Sequence, residues 1–485
     1  MFFIGIDLGT SAVKLLLMDE RGAAVRIVSR SYPLHFPQPG WSEQDPQDWY
    51  DQTVSGLKEL TEGIDPAQIE GVSFAGQMHG LVALDARDEI IRPAILWNDG
   101  RTEQQTNYLN NVIGKDALIR HTSNIAFAGF TAPKLLWMRE HEPESFSKIR
   151  RIMLPKDYLL YRFTGVHGTD YSDAAGTLLL DVPRKSWSEP MLDICGIGKE
   201  ILPSLHESWE ICGTLSEGAA KDTGLLAGTK VITGAADNAA AAIGTGTVGE
   251  GSCNLSLGTS GTVFISGSSF TADAEIPIHY FVHADGGFHL LGCMLSAASC
   301  NQWWCESILG TTDYGEEISA IDHPGENEIF FLPYLMGERS PHNDPNVRGM
   351  FLGLSLDTSR ADMTQAVLEG VSFGLKDSLE AARKIGASVD KATICGGGAK
   401  SALWRQITAN VLALPLTTVV NEEGPGYGAA ILAATGCGLF GSVQEAATKL
   451  VKYGETTLPE PELTEKYAER YLRYRRLYPA VRELF

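Results

Sequence analysis

Residues 4–14 combine a carboxylate, two hydroxyls and a glycine turn. Asp7-Leu8-Gly9-Thr10-Ser11 separates two apolar, β-rich runs, which predicts a strand, a tight turn and a returning strand. The N–H groups and hydroxyls of such a turn can bind phosphate oxygens, and the carboxylate can hold hydrated Mg²⁺. One copy is equally consistent with an ordinary hairpin that contains a buried aspartate.

The same pattern occurs again at residues 254–266, around Gly258-Thr259-Ser260. Gly258 lies 249 residues after Gly9 (258 − 9), which is close to half of the 485-residue chain. Two matching hairpins, one in each half, predict a duplicated fold whose two lobes bind one polyphosphate between them.

The length and composition describe a two-domain globular protein. A chain of 485 residues is too long for one ordinary core, and its apolar content of 44% and charged content of 20% are typical of globular proteins. The net charge of −21 argues against nucleic acid or anionic membrane as a general partner, although it does not exclude a nucleotide. No apolar run approaches the ~18–20 residues of a membrane span, and the N-terminus has no signal-type segment, so we expect a cytoplasmic protein.

The cysteines give no indication of a metal cluster. The chain has eight, with no Cys-x-x-Cys pair and no histidine spacing suited to zinc. Reduced thiols in the cytoplasm are the expected state.

Two strand ends carry candidate substrate contacts. A buried strand over residues 69–75 runs into Gly76-Gln77-Met78-His79-Gly80, and α/β proteins place ligand contacts at such strand ends. His79 is either a substrate contact or a structural histidine. Residues 98–101, Asn-Asp-Gly-Arg, are either a β-turn or a second set of contacts.

Asp237 is the candidate catalytic base. A short strand from Val231 leads into Asp237-Asn238, and the alanines that follow predict a helix beginning directly behind Asp237. The dipoles of a helix N-terminus stabilise a carboxylate as the anion, which suits a base at neutral pH. The alternative role is a simple helix N-cap.

A triple glycine at Gly396-Gly397-Gly398 follows another predicted strand and precedes a helix. Glycines allow close approach of a base and ribose, and a helix start favours phosphate. Together with the two hairpins, this segment predicts an adenosine site.

Three further segments are predicted to be structural. Residues 129–141 form a helix entered at Pro133, and the small residues of Asp173-Ala-Ala-Gly-Thr177 let backbones approach one another. The C-terminal segment, residues 463–484, is predicted to be one helix. It packs through a stripe of tyrosines, with Arg470, Arg473, Arg475 and Arg476 as its solvated flank.

Two long motifs give the chain a family resemblance. Residues 129–141 match the first signature of the FGGY carbohydrate kinases, and residues 349–369 match the second. With the paired hairpins, the chain resembles this family over essentially its whole length. The resemblance implies an α/β fold of two duplicated actin-like ATPase (ribonuclease H-like) domains with a central interdomain cleft. Residues 1–245 would be the sugar-binding domain with the catalytic aspartate, and residues 246–485 the nucleotide-binding domain.

The resemblance also implies a reaction. Residues 77–80, 154–158 and 172–177 are most similar to bacterial xylulokinases, which implies transfer of phosphate from ATP to D-xylulose to give D-xylulose 5-phosphate. Asp237 would be the general base, Asp7 and Asp237 would hold Mg²⁺, and Met78, His79, Asp237 and Asn238 would bind the sugar. The residues expected at the nucleotide are Thr10, Ser11, Gly258, Thr259, Ser260, Gly396, Gly397, Gly398, Ala399 and Ser401.

Other functions remain open at this point. One is another kinase of the family, acting on gluconate, ribulose, fuculose or glycerol. A second is a nucleotide-switched ATPase of the actin or heat-shock type, although such proteins lack both signatures. A homodimer is possible, since dimers are common in the family.

Overall fold

A computed structural model describes residues 1–421 and 423–485 and divides them into two compact units. The first unit comprises residues 1–249, 280–288 and 423–451, and the second comprises residues 250–279, 289–421 and 452–485. These units are discontinuous in sequence, whereas the predicted division at residue 245 is linear.

The strands are numbered in chain order. They are Phe2–Leu8 (β1), Ala12–Asp19 (β2), Ala24–Ser31 (β3), Glu43–Gln44 (β4), Ile69–Gly76 (β5), Val82–Leu84 (β6), Ala94–Ile95 (β7), Arg151–Met153 (β8), Gly168–Asp170 (β9), Leu180–Asp181 (β10), Ser186–Trp187 (β11), Ser204–His206 (β12), Ile211–Thr214 (β13), Lys230–Ile232 (β14), Ala235–Ala236 (β15), Cys253–Leu257 (β16), Gly261–Gly267 (β17), His279–Val282 (β18), Phe288–Met294 (β19), Phe330–Leu332 (β20), Met350–Leu352 (β21), Ala392–Cys395 (β22), Leu416–Val419 (β23) and Tyr453–Thr457 (β24).

The α-helices are numbered in the same way. They are Pro46–Leu60 (α1), Glu103–Asn107 (α2), Lys115–Thr122 (α3), Thr131–His141 (α4), Pro143–Lys148 (α5), Pro155–Thr164 (α6), Tyr171–Ala175 (α7), Glu189–Cys195 (α8), Glu217–Thr223 (α9), Asp237–Gly244 (α10), Ala298–Gln302 (α11), Tyr314–Ser319 (α12), Arg360–Lys384 (α13), Ala402–Leu412 (α14), Gly424–Gly436 (α15), Val443–Leu450 (α16), Pro461–Tyr474 (α17) and Leu477–Val481 (α18). Among the described residues, two segments are π-helical, Tyr108–Gly114 and Trp303–Leu309, and four are 3₁₀-helical: Pro66–Gln68, Lys199–Ile201, Gly397–Lys400 and Arg482–Leu484.

The first unit is built on a mixed sheet in the order β13-β14-β5-β1-β2-β3, with β15 beside β5. β1 and β2 form the predicted antiparallel hairpin, and β1 runs parallel to β5. The sheet contributes Ile4, Ile6, Leu15 and Phe74 to a hydrophobic core that also contains Trp49 of α1. Burial of these large side chains provides the main stabilisation of the unit.

The second unit is built on a sheet in the order β19-β17-β16-β22-β23-β24. β16 and β17 form the second antiparallel hairpin, and β16 runs parallel to β22, as β1 does to β5. β22 and β23 are parallel and β24 closes the edge antiparallel, which repeats the arrangement of β5, β14 and β13. The prediction of a duplicated α/β fold is therefore confirmed.

Local capping signals define two long helices. α1 begins after Asp45, whose carboxylate accepts from the amide of Gln47, and Pro46 is its first residue. α13 begins after Ser359, which forms a capping box with Asp362.

The C-terminal prediction needs correction. The segment is not one helix, because α17 ends at Tyr474 and α18 follows from Leu477. The tyrosine stripe packs as predicted, with Tyr467, Tyr471 and Tyr474 buried. Arg470 is not solvated, since it is buried and bonded at 2.7 Å to the carboxylate of Glu369. Sequence periodicity predicts which face of the helix carries a side chain, but it cannot show that a buried carboxylate lies next to that face. α4 also begins at Thr131, two residues before the predicted entry at Pro133.

Among the described residues, no helix is both long and apolar enough to span a bilayer.

Candidate active site

In the first unit, the carboxyl ends of three parallel strands meet at one edge of the sheet. Leu8 of β1 and Ala236 of β15 are both register partners of Gly76 in β5. The residues that follow these strands therefore emerge next to one another: the Gly-Thr-Ser turn, then Gln77 to His79, then Asp237 and Asn238. The crevice outside such strand ends is where open α/β sheets bind ligands.

Thr10 belongs to a hydrogen-bond network. Its hydroxyl donates to the amide oxygen of Gln77 at 3.2 Å and accepts from the indole N–H of Trp97 at 2.9 Å. Its carbonyl accepts from the amide of Gln44 at 2.6 Å. Ser11 is exposed at the tip of the turn. The network fixes the turn beside the loop after β5.

Met78 and His79 pack against Gly176, which belongs to the segment 173–177 that was predicted to be structural. The Nδ1 atom of His79 lies 2.6 Å from the carbonyl oxygen of Gly176, and its ring stacks on Phe130 with centroids 4.5 Å apart. A Cβ atom at Gly176 would lie 2.6 Å from Cε of Met78 and 2.8 Å from Cε1 of His79. A side chain at position 176 would therefore clash with both residues. These contacts show that His79 has a structural role, which was one of its two predicted roles.

Asn238 joins the same cluster, because its side-chain amide donates to the sulfur of Met78 at 3.2 Å. Met78 is 5% exposed, whereas Asn238 is half-buried. The sulfur contact brings the strand end at β5 and the start of α10 together.

Asp237 is the first residue of α10, and Ala236 is the N-cap. The amide of Asn238 donates to Asp237 Oδ1 at 2.6 Å. Burial nevertheless raises the pKa of Asp237 to about 6, and the hydrogen bond from Asn238 only partly offsets this. The expected stabilisation of the anion by the helix start is therefore outweighed by desolvation.

Asp7 lies in a field of like charge. Burial and then the nearby Asp237 raise the pKa of Asp7 to about 7, while Lys14 acts in the opposite direction. Lys14 also forms an ion pair of 2.9 Å with Glu423. A buried carboxylate whose ionisation is hindered by a second carboxylate is a favourable place for a cation.

The segment 98–101 is held mainly by internal contacts. The carboxylate of Asp99 accepts from the amide of Ser42 at 2.6 Å and forms a 2.7 Å ion pair with Arg101. Both side chains are buried, whereas Asn98 is exposed. Asp99 and Arg101 are therefore consistent with the β-turn interpretation, since their side chains bind neighbouring protein groups.

Lys134 explains part of the first signature. Its buried ammonium donates to the carbonyl oxygens of His79 at 2.7 Å and Gly129 at 2.6 Å. Burial lowers its pKa well below the ordinary value. The side chain ties α4 to the backbone of the loop after β5, a function beyond the core packing that the sequence suggested.

The second unit contains a cavity of about 910 Å³ beside its hairpin. Its walls come from the turn after β16, from α11 and α12, and from the start of α14. The lining residues are Gly258, Thr259, Ala298, Ser299, Asn301, Gln302, Tyr314, Gly315, Ile318, Ser319, Gly397, Gly398, Lys400, Ser401, Leu403 and Trp404.

The three glycines after β22 have different physical causes. Gly396 has a φ of +94°, and its Cβ would lie 2.6 Å from the backbone of Leu257. A Cβ at Gly398 would lie 2.9 Å from the ring of Trp404, whereas a Cβ at Gly397 would contact no protein atom within 4 Å. Two glycines thus serve packing, and Gly397 keeps the cavity wall flat.

Five predicted nucleotide residues line this cavity: Gly258, Thr259, Gly397, Gly398 and Ser401. Ser260, Gly396 and Ala399 lie outside its lining. Ala399 is buried and its carbonyl accepts from Arg405 at 2.8 Å.

The sequence analysis missed one part of the lining, which α12 contributes through Tyr314, Gly315, Ile318 and Ser319. It has no motif of its own and comes to the cavity only through the fold. Ala298, Ser299, Asn301 and Gln302 of α11 contribute to the same lining.

Comparisons with known proteins agree on one family. The N-terminal domain model of the FGGY family of carbohydrate kinases matches residues 2–244, and the C-terminal domain model matches residues 253–437. The chain is 40% identical over 480 residues to a xylulose kinase of Escherichia coli, covering 98% of each chain. A crystal structure of a xyloylose kinase from Brucella ovis is 38% identical, with a TM-score of 0.94 and full coverage of both chains. A gluconate kinase from Lactobacillus acidophilus is 29% identical, with a TM-score of 0.93 over 99% of this chain and 98% of that one. The protein belongs to the FGGY family of carbohydrate kinases.

Proposed function

We propose that this carbohydrate kinase transfers the γ-phosphoryl group of ATP to D-xylulose, giving D-xylulose 5-phosphate and ADP. The observation that carries the proposal is the meeting of Asp7, Met78-His79 and Asp237-Asn238 at three parallel strand ends. The full-length identity to a xylulose kinase supports the choice of sugar.

Asp237 is the proposed general base. A primary alcohol is a poor nucleophile, so a carboxylate must accept its proton as the new O–P bond forms. With a pKa of about 6, Asp237 is mostly ionised at neutral pH and is also a stronger base than an ordinary aspartate. Such assistance is typically worth ~10²–10⁴-fold in rate.

The residues around Asp7 suit Mg²⁺. Asp237 makes Asp7 harder to ionise, and a divalent cation between them would remove that repulsion. Within the part of the chain that the structure describes, no cluster of three or more His, Cys, Asp or Glu side chains forms a protein cage for a metal. Mg²⁺ is usually held by one or two carboxylates, substrate phosphates and water. When bound, it would neutralise phosphate charge, with Asp7 and Asp237 as its protein partners.

We assign the sugar to Met78, His79, Asp237 and Asn238. The polar groups of Asn238 and His79 would bind hydroxyls, and the side chain of Met78 would cover the apolar face of the sugar. The stacking of His79 on Phe130 limits the movement of the imidazole ring and so preorganises the site.

We assign the nucleotide to the cavity of the second unit, which supports the domain roles predicted from the resemblance. A volume of about 910 Å³ is sufficient for a nucleoside polyphosphate. Gly397 and Gly398 would contact the adenosine, and Gly258, Thr259 and Ser401 would lie towards the phosphates. Thr10, Ser11, Ser260, Gly396 and Ala399 remain predictions for phosphate and ribose contacts.

A coupled ADP-release assay against ketoses, polyols and aldonates tests the proposal. We expect the highest kcat/KM with D-xylulose. ATP hydrolysis that is independent of every sugar would instead indicate a nucleotide-switched protein.

Gluconate is the second candidate, because a gluconate kinase is among the similar structures. A carboxylate substrate needs a cation that is free to bind it. Lys134 is bound to two backbone carbonyls and Lys156 to aspartates, so these two lysines do not meet that need. A larger kcat/KM for gluconate than for D-xylulose would overturn the choice of sugar while keeping the kinase assignment.

A further inference from the structure

A buried ion cluster lies behind the segment that ends at Asp237. Lys156, the second residue of α6, is fully buried, and its ammonium lies 2.6 Å from Asp157 Oδ1, 2.9 Å from Asp170 Oδ1 and 3.7 Å from Asp173 Oδ2. Burying one lysine with three carboxylates costs solvation free energy, so a purely apolar packing would be cheaper. The sequence motifs at residues 154–158 and 170–177 therefore serve a purpose other than core packing.

Asp170 connects this cluster to two serines. One of its oxygens, Oδ2, accepts from the hydroxyls of Ser172 and of Ser208, the latter at 2.8 Å, and also from the amide of Ser172 at 2.8 Å. The other oxygen faces Lys156. The two carboxylate oxygens of Asp170 thus face different neighbours, the two serines on one side and Lys156 on the other.

Both serines hold the short strand that leads to Asp237. The hydroxyl oxygen of Ser172 accepts from the amide of Ala236 at 3.0 Å, and the carbonyl oxygen of Ser208 accepts from the amide of Gly234 at 3.0 Å. Ala236 is the N-cap of α10 and the residue before Asp237. The position of Ala236 therefore determines the position of the Asp237 backbone, from which the carboxylate projects.

Lys156 also contacts the neighbouring strand. A Cβ atom at Gly76 would lie 2.7 Å from Cβ of Lys156, and Gly76 is the register partner of Ala236. The cluster thus fixes Ala236 from two directions, through Ser172 and through the β5 strand end.

We propose that Lys156, Asp170 and Ser172 form a positioning network that fixes the backbone before Asp237 and so aims its carboxylate at the acceptor hydroxyl of the sugar. The inference rests on the proposed role of Asp237. These residues do not touch the reacting atoms, and they act through the amide of Ala236.

Ser172→Ala tests the network with the smallest change. It removes the acceptor for Ala236 while Asp170 keeps its ion pair with Lys156 and its bond from Ser208. Misplacement of a catalytic group by about 1 Å costs up to ~10²-fold in rate, so we expect kcat to fall about tenfold or more. The KM for ATP should stay within about twofold, because the nucleotide contacts are unchanged. The KM for sugar should change less than kcat, because Met78 and His79 keep their positions.

Three matched variants make the result specific. Thr223→Ala deletes one buried hydroxyl of the same unit, bonded to the carbonyl of Ala219 at 2.7 Å, and should lower stability comparably with unchanged kcat. Ser208→Ala keeps the carbonyl bond to Gly234 and should lower kcat less than Ser172→Ala. Ser172→Cys retains a weak acceptor and should lie between wild type and Ser172→Ala.

Hydrogen exchange gives a readout that does not depend on turnover. In Ser172→Ala, the peptide covering residues 231–243 should exchange faster than in wild type, and Thr223→Ala should leave it unchanged. A Ser172→Ala enzyme with wild-type kcat, or with a loss no larger than that of Thr223→Ala, would overturn the network. Failure of the proposed function would look different, since the wild-type enzyme itself would then not phosphorylate D-xylulose.

Discussion

In the first hairpin, Asp7 is the register partner of Lys14, whereas the equivalent pair in the second hairpin is Ser256 and Thr262. In both hairpins the turn is Gly-Thr-Ser. The first strand of each hairpin runs parallel to a neighbouring strand, β5 in one unit and β22 in the other. The two units therefore share a backbone plan but differ in charge.

The loops after the neighbouring strands differ in the same sense. Gln77-Met78-His79 follows β5 and presents polar side chains, whereas Gly396-Gly397-Gly398 follows β22 and presents almost none. A charged strand end suits proton transfer and Mg²⁺, and a neutral, flat one suits a large nucleotide. The proposed division of roles between the two units therefore depends on their side chains, because their backbone arrangements match.

Asp237→Asn should produce the largest effect on this division. The amide keeps the size of the carboxylate but cannot accept the proton, so kcat should fall by at least ~10²-fold. The KM for sugar should change much less than kcat, because the amide of the asparagine can still hydrogen-bond a sugar hydroxyl although it cannot take up the proton. Steady-state kinetics with D-xylulose check this, and turnover near the wild-type value would remove Asp237 as the base.

Asp7→Ser should make the first hairpin resemble the second and expose the charge difference directly. We expect the Mg²⁺ concentration for half-maximal activity to rise about 10–100-fold, as for other lost partners of a bound metal. Ser256→Ala, at the equivalent position, should stay within about twofold of wild type. Equal effects of the two substitutions would contradict the difference between the hairpins.

Acidification should affect only the charged strand ends. Asp237, the proposed base, has a pKa of about 6 and therefore loses its charge as the pH falls through that value. Between about pH 7 and pH 5, kcat/KM for the sugar should fall about tenfold, while nucleotide affinity changes less. A pH profile of kcat/KM beside ADP titrations checks this, and a flat profile would argue against a base with this pKa.

Gly397→Ala should give the smallest effect, confined to the neutral strand end. Its new methyl would meet no protein atom but would enter the proposed nucleotide space, so the KM for ATP should rise about fivefold, or about 1 kcal/mol. The melting temperature should not change. Gly398→Ala is the matched control, because its methyl would press on Trp404 and should lower stability instead. An unchanged KM for ATP in Gly397→Ala would show that the adenosine does not bind next to Gly397.

Local signals explain why much of the fold was predictable. The hairpins follow from apolar runs around glycine turns, and α1 and α13 begin at capping residues that the sequence displays. Contacts between distant segments carried no such signal. Arg470 was expected in solvent because its partner Glu369 lies 101 residues away.

The candidate site divides in the same way. Asp7, Met78, His79, Asp237, Asn238 and the glycines were identifiable from residue types at strand ends. Two other features could not be identified from the sequence. They are the part of the cavity lining formed by Tyr314 and Ser319, and the link from Lys156 through Asp170 to Ala236. Each depends on contacts between segments that share no sequence motif.

The sequence alone determined the duplicated hairpins, the family and the chemical identity of the acid and glycine residues, since these depend on local pattern. Only the tertiary structure decided the environment of each group. It raised the pKa values of Asp7 and Asp237, engaged Thr10 with Gln77, and placed a buried ion cluster behind Ala236. The physical reason is that desolvation and charge interactions act through space, between residues whose separation along the chain gives no indication of their distance.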